Sequence, residues 1–321
     1  MNKKHLLAAI VAFAFTVPAA AQTESPTQKS KTIKPFNNLE LTINAGTTGI
    51  GFDLATYVHK IVRLRTGFDF MPRWDYTMHF AIAAGRYDEN GNWIASDFNQ
   101  MADKLEQITG YEADDNVAMT GEPTFDNFKF MADIFPFRNK HWHVTAGFYW
   151  GRANVAKAYN KTEEMPSLLA VSMYNHIYDK VLAGEPIYGD NIYLDPDLED
   201  MMLEFGRMGI NVGTMKSTGQ AYMMEPDENS MVKANIKVNN FRPYLGFGYS
   251  GRLIKNDDRY HIGFECGAMF WGGTPAIITH DGTNLSTDVR DIYYSVGDYV
   301  DIIKVFKVYP VLNLRLTRKL F

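Results

Sequence analysis

The chain carries a single cysteine, Cys266, among its 321 residues. One thiol excludes an internal disulfide and a thiolate zinc cluster. It also excludes N-terminal lipidation, which needs a cysteine at the processing point. No segment downstream of Ala21 approaches the run of about 18 apolar residues that a membrane helix requires, and the mean hydropathy is slightly negative. Helical membrane spans are therefore excluded. The formal net charge is −5, with no basic excess, so nothing in the electrostatics points to nucleic acid. Stability must come from backbone hydrogen bonds and packing.

What is present begins with Lys3, Lys4 and His5, an apolar run over 6–17, Pro18, and the small residues Ala19, Ala20 and Ala21. This is the order of a secretory signal peptide spanning 1–21, with cleavage expected after Ala21 and a mature start at Gln22. The alternative, a membrane anchor helix, would need roughly 20 apolar residues to cross a hydrocarbon core of about 30 Å, and this run is too short. Loss of Lys3 and Lys4 takes the formal charge from −5 to −7. Residues 22–38, with Ser25, Pro26, Lys29, Lys31 and Lys34, have the composition of a flexible tether. Beyond them no repeat of fixed length is present.

From 39 to 321 the dominant signal is alternation of period two. Val62, Leu64, Thr66, Phe68 and Phe70 share one face, and Arg63, Arg65, Gly67, Asp69 and Arg73 the other. The same split separates Phe128, Phe130, Ala132 and Ile134 from Lys129, Met131 and Asp133. It recurs in Trp142, Val144, Ala146, Phe148 and Trp150 against His143, Thr145, Gly147 and Tyr149. Further on, Phe241, Leu245, Phe247 and Tyr249 oppose Arg242, Tyr244, Gly246 and Gly248. Ile262, Phe264, Cys266, Ala268 and Phe270 oppose His261, Gly263, Glu265, Gly267 and Met269. Last, Leu312, Leu314 and Leu316 oppose Asn313, Arg315 and Thr317. Two regions leave the strand count open. Leu39, Leu41 and Ile43 are in one phase and Ile50, Phe52 and Leu54 in the other, so 46–49 holds a turn or a bulge. The run Val232, Ala234, Ile236 and Val238 changes phase across Asn239 and Asn240.

Between these strands lie helix-period inserts near 96–110, 167–182, 195–208 and 286–304. Ser96 or Asp97 caps the first, with Phe98, Met101, Leu105 and Ile108 on one stripe and Gly110 as its stop. Asp195 followed by Pro196 starts another. The pattern predicts an all-β fold, an antiparallel transmembrane β-barrel of 8 to 10 strands with helical inserts in the connecting loops. It is the one membrane architecture in which only alternate residues face lipid. The rival is a soluble lipocalin-type barrel with its apolar face turned inward. It would have to place three arginines of one strand outside and leave nothing to cover the other face.

The stretches Arg-Pro-Tyr-Leu-Gly-Phe-Gly-Tyr at 242–249, Gly-Phe-Glu-Cys-Gly-Ala-Met-Phe-Trp-Gly at 263–272 and Tyr-Pro-Val-Leu-Asn-Leu at 309–314 resemble the closing strands of small outer-membrane β-barrel proteins of Gram-negative bacteria, a largely uncharacterised family. The resemblance implies an outer-membrane location. It also implies outer-membrane lipid and lipopolysaccharide as surroundings, and the barrel-assembly machinery as a partner that recognises a terminal aromatic such as Phe321. Phe321 is out of phase with Leu316 and Leu320, and a bulge near Arg318 would repair this. The resemblance carries no catalytic residue and no cofactor.

The candidate site is the inward polar set Arg63, Arg65, Asp69, Arg73, Lys129, Asp133, Arg242, Glu265 and Arg315. A barrel of so few strands is nearly filled by its side chains, so the leading reading is mutual pairing in a mostly plugged lumen, serving a structural or ligand-binding role. A narrow pore for small anionic or polar solutes is the second reading, with Arg63 and Arg65 favouring anions. A lipid-modifying enzyme is the third, built on His141, His143, His261 and Glu265, although no serine stands in a nucleophile motif. Phe68, Phe130, Phe148, Phe247, Phe264 and Phe270 are expected to face lipid. Asp88, Asn90 and Asn92 imitate the start of a calcium loop, but Trp93 stands where its glycine belongs, and Asn90-Gly91 reads better as a hairpin turn. Trp74, Tyr76, Trp142, Trp150, Tyr249 and Trp271 are expected in interfacial girdles.

Overall fold

The computed structural model describes residues 38–321 apart from 91–92, 111–113, 293 and 306. The signal peptide, the cleavage point and all of the tether except Asn38 lie outside the described residues, as do Gly91 of the expected hairpin turn and Asn92 of the calcium-loop imitation.

Eight strands close into a barrel: β1 (Leu39–Gly46), β2 (Gly49–His59), β3 (Val62–Phe70), β7 (Asn127–Ile134), β8 (Trp142–Gly151), β13 (Phe241–Ile254), β14 (Asp257–Phe270) and β17 (Val308–Lys319). Every neighbouring pair is antiparallel, and β17 closes the ring against β1. The break over 46–49 is a turn, so β1 and β2 are separate strands. Gly49 adopts φ +95°, and a Cβ there would lie 2.2 Å from the Phe70 carbonyl oxygen, which restricts this tight hairpin to glycine. Splitting that segment fixes the polarity of the barrel. Leu39 and Lys319 stand at one rim, the lower, with only short connections after His59, Ile134 and Ile254. All the long inserts leave from the upper rim.

Those inserts build a second sheet of nine strands. Its main path runs β11 (Ala221–Met224), β10 (Arg207–Met215), β4 (Tyr76–Tyr87), β6 (Asn116–Pro123), β9 (Asn154–Asn160), β12 (Lys233–Lys237) and β15 (Ala276–Thr279). The short β5 (Trp93–Ser96) joins β4, and β16 (Val289–Arg290) joins β10. Tyr222 Oη of β11 lies 3.0 Å from Thr279 Oγ1 of β15 and donates to Asp281 Oδ2 at 2.8 Å, drawing the two ends of the sheet together. The 232–238 run is therefore not a barrel strand. Its phase change at Asn239 and Asn240 marks where the chain passes from this cap into β13.

Among the described residues four α-helices accompany the cap: α1 (Phe98–Thr109), α2 (Met165–Ala183), α3 (Pro196–Phe205) and α4 (Tyr294–Val305). Asp195 caps α3 by accepting the Asp197 N–H, and Gly206 at φ +82° ends it, so 207–208 belong to β10 rather than to the helix. Helix α4 starts later than the expected 286 because Val289 and Arg290 pair with Met215 and Thr214. Phe98, Met101 and Leu105 of α1, Leu168, Val171 and Tyr174 of α2 and Met202 of α3 bury against Ile82, Ala84, Met208 and Ile210 of the sheet. The Asn175 amide bonds both the N–H and the C=O of Met208, at 2.9 and 2.8 Å, and so stands in for a strand neighbour. Among the described residues no helix is long and apolar enough to cross a membrane.

The register between β1 and β17 is uniform through Arg318, so no bulge forms there. The shift comes at the end. Leu39 N–H bonds the Phe321 carbonyl while Leu320 N–H bonds the Leu39 carbonyl, placing two residues opposite one.

Candidate functional site

Period-two alternation sends the charged residues inward and the apolar residues outward: Arg65 is 4% exposed, whereas Leu314 is 69% exposed. Inside, Arg63 Nη2 reaches Asp133 Oδ2 at 2.8 Å and its Nη1 reaches Glu40 Oε2 at 2.8 Å. Arg65 is the hub. It contacts Asp133 at 3.1 Å, Asp53 at 3.2 Å and Glu265 at 2.5 Å. Arg315 joins Glu265 at 3.0 Å and Asp53 at 3.3 Å. Lys129 Nζ sits 2.7 Å from Asp53 Oδ1, off the line of a hydrogen bond, and directs its hydrogen bonds to Asp69 at 2.5 Å and Asn44 at 3.0 Å. Thr145 and Thr48 donate to Asp133 and Asp69. Buried charges are tolerated where each is paired and hydrogen-bonded. Glycines make the room: a Cβ on Gly51 would lie 1.8 Å from Asp69 Oδ1, and one on Gly67 2.4 Å from Asp53 Oδ1.

The structure thus brings together Arg63, Arg65, Asp69, Lys129, Asp133, Glu265 and Arg315. Two residues of the expected set lie elsewhere. Arg73 stands beyond the end of β3, after Pro72, with its side chain 65% exposed and paired with Glu122 at 3.3 Å in the cap. Arg242 is buried at the upper rim but meets no carboxylate. It donates to the Asn239 and Arg152 carbonyls and to Asn127 Oδ1, and lies over the Phe125 ring, so it pins the inserts to the barrel. Glu40 and Asp53 were missed. Both occupy the polar phase of the segment whose phase break left the first strands unresolved, and reading each half separately exposes them.

Above and below the ion pairs the lumen holds packed side chains. Tyr149, Tyr244, Met269 and Val311, from four successive strands of the ring, bury with Met131 in its upper half beneath Phe125 and Trp271. Trp271 is therefore a core residue, not a girdle residue, whereas Trp142 and Trp150 are exposed on the outer wall. At the lower end Phe135 folds back into the barrel. It packs against His143 and Tyr57 and lies under the Arg63 guanidinium. Below it opens a hollow of about 680 Å³ lined by Tyr57, Lys140, Arg252, Lys255, Asp258 and Lys319.

The histidines do not converge. His141 Nδ1 lies 2.8 Å from the Ser250 carbonyl oxygen. Both ring nitrogens of His143 are buried without a hydrogen-bond partner. Glu265 turns to its two arginines, and His261 pairs with Asp258 at 3.5 Å. Among the described residues no three His, Cys, Asp or Glu side chains are grouped to hold a metal. On the outer wall Phe68, Phe130, Phe247, Phe264 and Phe270 are exposed, and Phe148 is half-buried among Phe128, Phe130 and Phe241.

No family model matches the chain, and no curated protein matches it. Among solved structures it is similar to Acinetobacter baumannii CarO2, at 15% identity over 90% of this chain and 100% of that one, with a TM-score of 0.38. Acinetobacter baumannii CarO gives 15% identity over 88% of this chain and 97% of that one, with a TM-score of 0.37. A major outer membrane protein from Thermus thermophilus gives 12% identity over 88% of this chain and 98% of that one, with a TM-score of 0.26.

Proposed function

We propose that this chain is a bacterial outer-membrane β-barrel with a mostly plugged, non-conducting lumen, a membrane-anchored platform whose cap performs a structural or ligand-binding task at the surface. The observation that carries the reading is the inversion of a soluble protein's polarity: paired charges fill the barrel and aromatic and aliphatic residues cover its outside. An apolar wall of that kind is stable against lipid and not against water. Short turns at the rim where Leu39 and Lys319 stand, with long inserts at the other, match periplasmic turns and extracellular loops. On this reading the chain is exported through the 1–21 signal, inserted by the barrel-assembly machinery, and surrounded by lipopolysaccharide around its upper wall. The core of the barrel is non-enzymatic.

The test is placement. The protein should fractionate with outer membranes and shift on gels between boiled and unboiled samples. A cysteine replacing Tyr188 in the cap should react with an impermeant maleimide on intact cells, and one replacing Lys255 at the lower rim should react only after lysis. Recovery from the soluble periplasm, or the reverse labelling, contradicts the reading.

A further inference from the structure

The lower hollow of about 680 Å³ has a roof and a mouth of different chemistry. Phe135 and Tyr57 form the roof, with ring centroids 5.6 Å apart and the Arg63 guanidinium against both. At its side His141 stacks on Tyr249, and its Nδ1 lies 2.8 Å from the Ser250 carbonyl oxygen. The space is that of a small-molecule site, and a lone ion would leave most of it empty.

The mouth is basic in a chain whose formal net charge is −5. Among the described residues that line the hollow, Arg63, Lys140, Arg252, Lys255 and Lys319 face two carboxylates, Glu40 and Asp258. Glu40 is taken up by Arg63 at 2.8 Å. Asp258 is shared by Arg252 at 2.9 Å, Lys319 at 2.7 Å and His261 at 3.5 Å. Among the described residues Lys140 and Lys255 have no carboxylate partner, and the Nη groups of Arg252, which holds Asp258 through Nε, have no acceptor. Lys140 adopts φ +52°, a left-handed backbone that residues with a Cβ seldom take, and its ammonium lies 4.7 Å from the Tyr57 ring centroid.

A concave site whose cations outnumber its anions focuses its field on an entering anion. Exposed ammonium groups beside a half-used guanidinium fork suit a phosphate, which brings about two charges and several acceptor oxygens. The segment of this chain that precedes the barrel has the wrong charge for the hollow, since residues 22–37 carry Lys29, Lys31 and Lys34 against Glu24.

We infer that the lower hollow binds a small phosphate-bearing polyanion, held by Lys140, Lys255 and the Nη groups of Arg252. The phosphate belongs either to a soluble phosphorylated molecule or to a phospholipid headgroup. The site depends on the barrel fold and not on which side of a membrane the lower rim faces, so full-length protein in non-ionic detergent, its folding verified by circular dichroism, is the material for the test.

Calorimetric titration with pyrophosphate at low ionic strength should show saturable binding that weakens as salt is added. Lys140→Gln combined with Lys255→Gln should weaken it at least about tenfold. Lys60→Gln combined with Arg138→Gln removes two exposed cations of the lower turns that do not line the hollow, and should change affinity by less than about twofold. Glycerol phosphate and short-chain phosphatidylglycerol, each competed against pyrophosphate, separate the sources. Stronger competition by the lipid assigns the site to a headgroup, and parity assigns it to a soluble phosphate. Absence of saturable binding overturns the site, as does equal weakening in the two double variants, which would mean diffuse rim charge. Citrate binding as tightly as pyrophosphate overturns the phosphate assignment. If the double lysine variant fails to fold, Lys255→Glu alone decides: reversal of that exposed charge should weaken pyrophosphate at least about tenfold, and unchanged affinity overturns the site.

Discussion

Arg65 of β3 and Glu265 of β14 meet at 2.5 Å although their strands stand on diametrically opposite sides of the eight-strand ring. A single ion pair therefore spans the lumen, and the cations around it are outnumbered. Arg63, Arg65, Lys129 and Arg315 face Glu40, Asp53, Asp69, Asp133 and Glu265, four against five.

That imbalance makes charge removal unequal. Glu265→Gln leaves four against four, and the amide oxygen still accepts from both arginines, so stability should change by no more than about 1 kcal/mol. Arg65→Met leaves three cations against five carboxylates and strips partners from Asp53, Asp133 and Glu265 together. It should cost about 3–5 kcal/mol, the range for uncompensated buried charge. Urea unfolding of the folded barrel in detergent measures both, and equal losses would contradict the network.

The outer wall is tested by the neighbouring position. Phe264 lies on β14 between Leu314 and Tyr249 and is exposed. Phe264→Arg places a charge on a lipid-facing site at a cost of about 2–4 kcal/mol near the midplane, and the fraction that assembles in membranes should fall. Assembly as complete as that of Glu265→Gln would mean that inside and outside are interchanged.

Much of this was legible because it obeys a period of two. Six barrel segments and the inward direction of Arg63, Arg65, Lys129, Asp133, Glu265 and Arg315 follow from alternation alone. The cap did not follow. In β4 the buried face is Phe80, Ile82 and Ala84, in the core with α1 and α3, while Ala81 and Ala83 on the opposite, exposed to half-buried face are small and apolar too, so the apolar–polar alternation vanishes from the sequence although the burial alternates. Helix boundaries slipped where strand pairing overrode helical periodicity, as at Val289. Arg73 was misplaced because its phase is right for the lumen, while Pro72 ends the strand before reaching it.

The cap carries an acid-sensitive clasp. Burial pushes the Asp281 carboxyl up, but hydrogen bonds from Thr279, the Thr283 N–H and Tyr222 outweigh it and hold the group below its ordinary 3.8. A carboxylate so depressed contributes stability that is fully present above the ordinary value and lost as pH falls through the lower folded one. Urea unfolding of the cap should therefore be constant from neutral pH down to about 4 and weaken below it. Asp281→Asn should be weaker at neutral pH and lose that part of the acid dependence. An identical acid profile in the variant would assign the clasp elsewhere.

On the proposed reading the lumen is closed by its own side chains. Purified protein in planar bilayers tests it most directly, since a packed barrel passes no steady ion current whatever the sign of the voltage. No stable conductance is expected for the natural protein and none for Glu265→Gln, with openings only in variants that empty the lumen, such as Tyr149→Ala combined with Arg65→Ala. Large, stable, anion-selective channels in the natural protein, with selectivity reduced by Arg63→Ala and Arg65→Ala, would contradict it and make the barrel a pore.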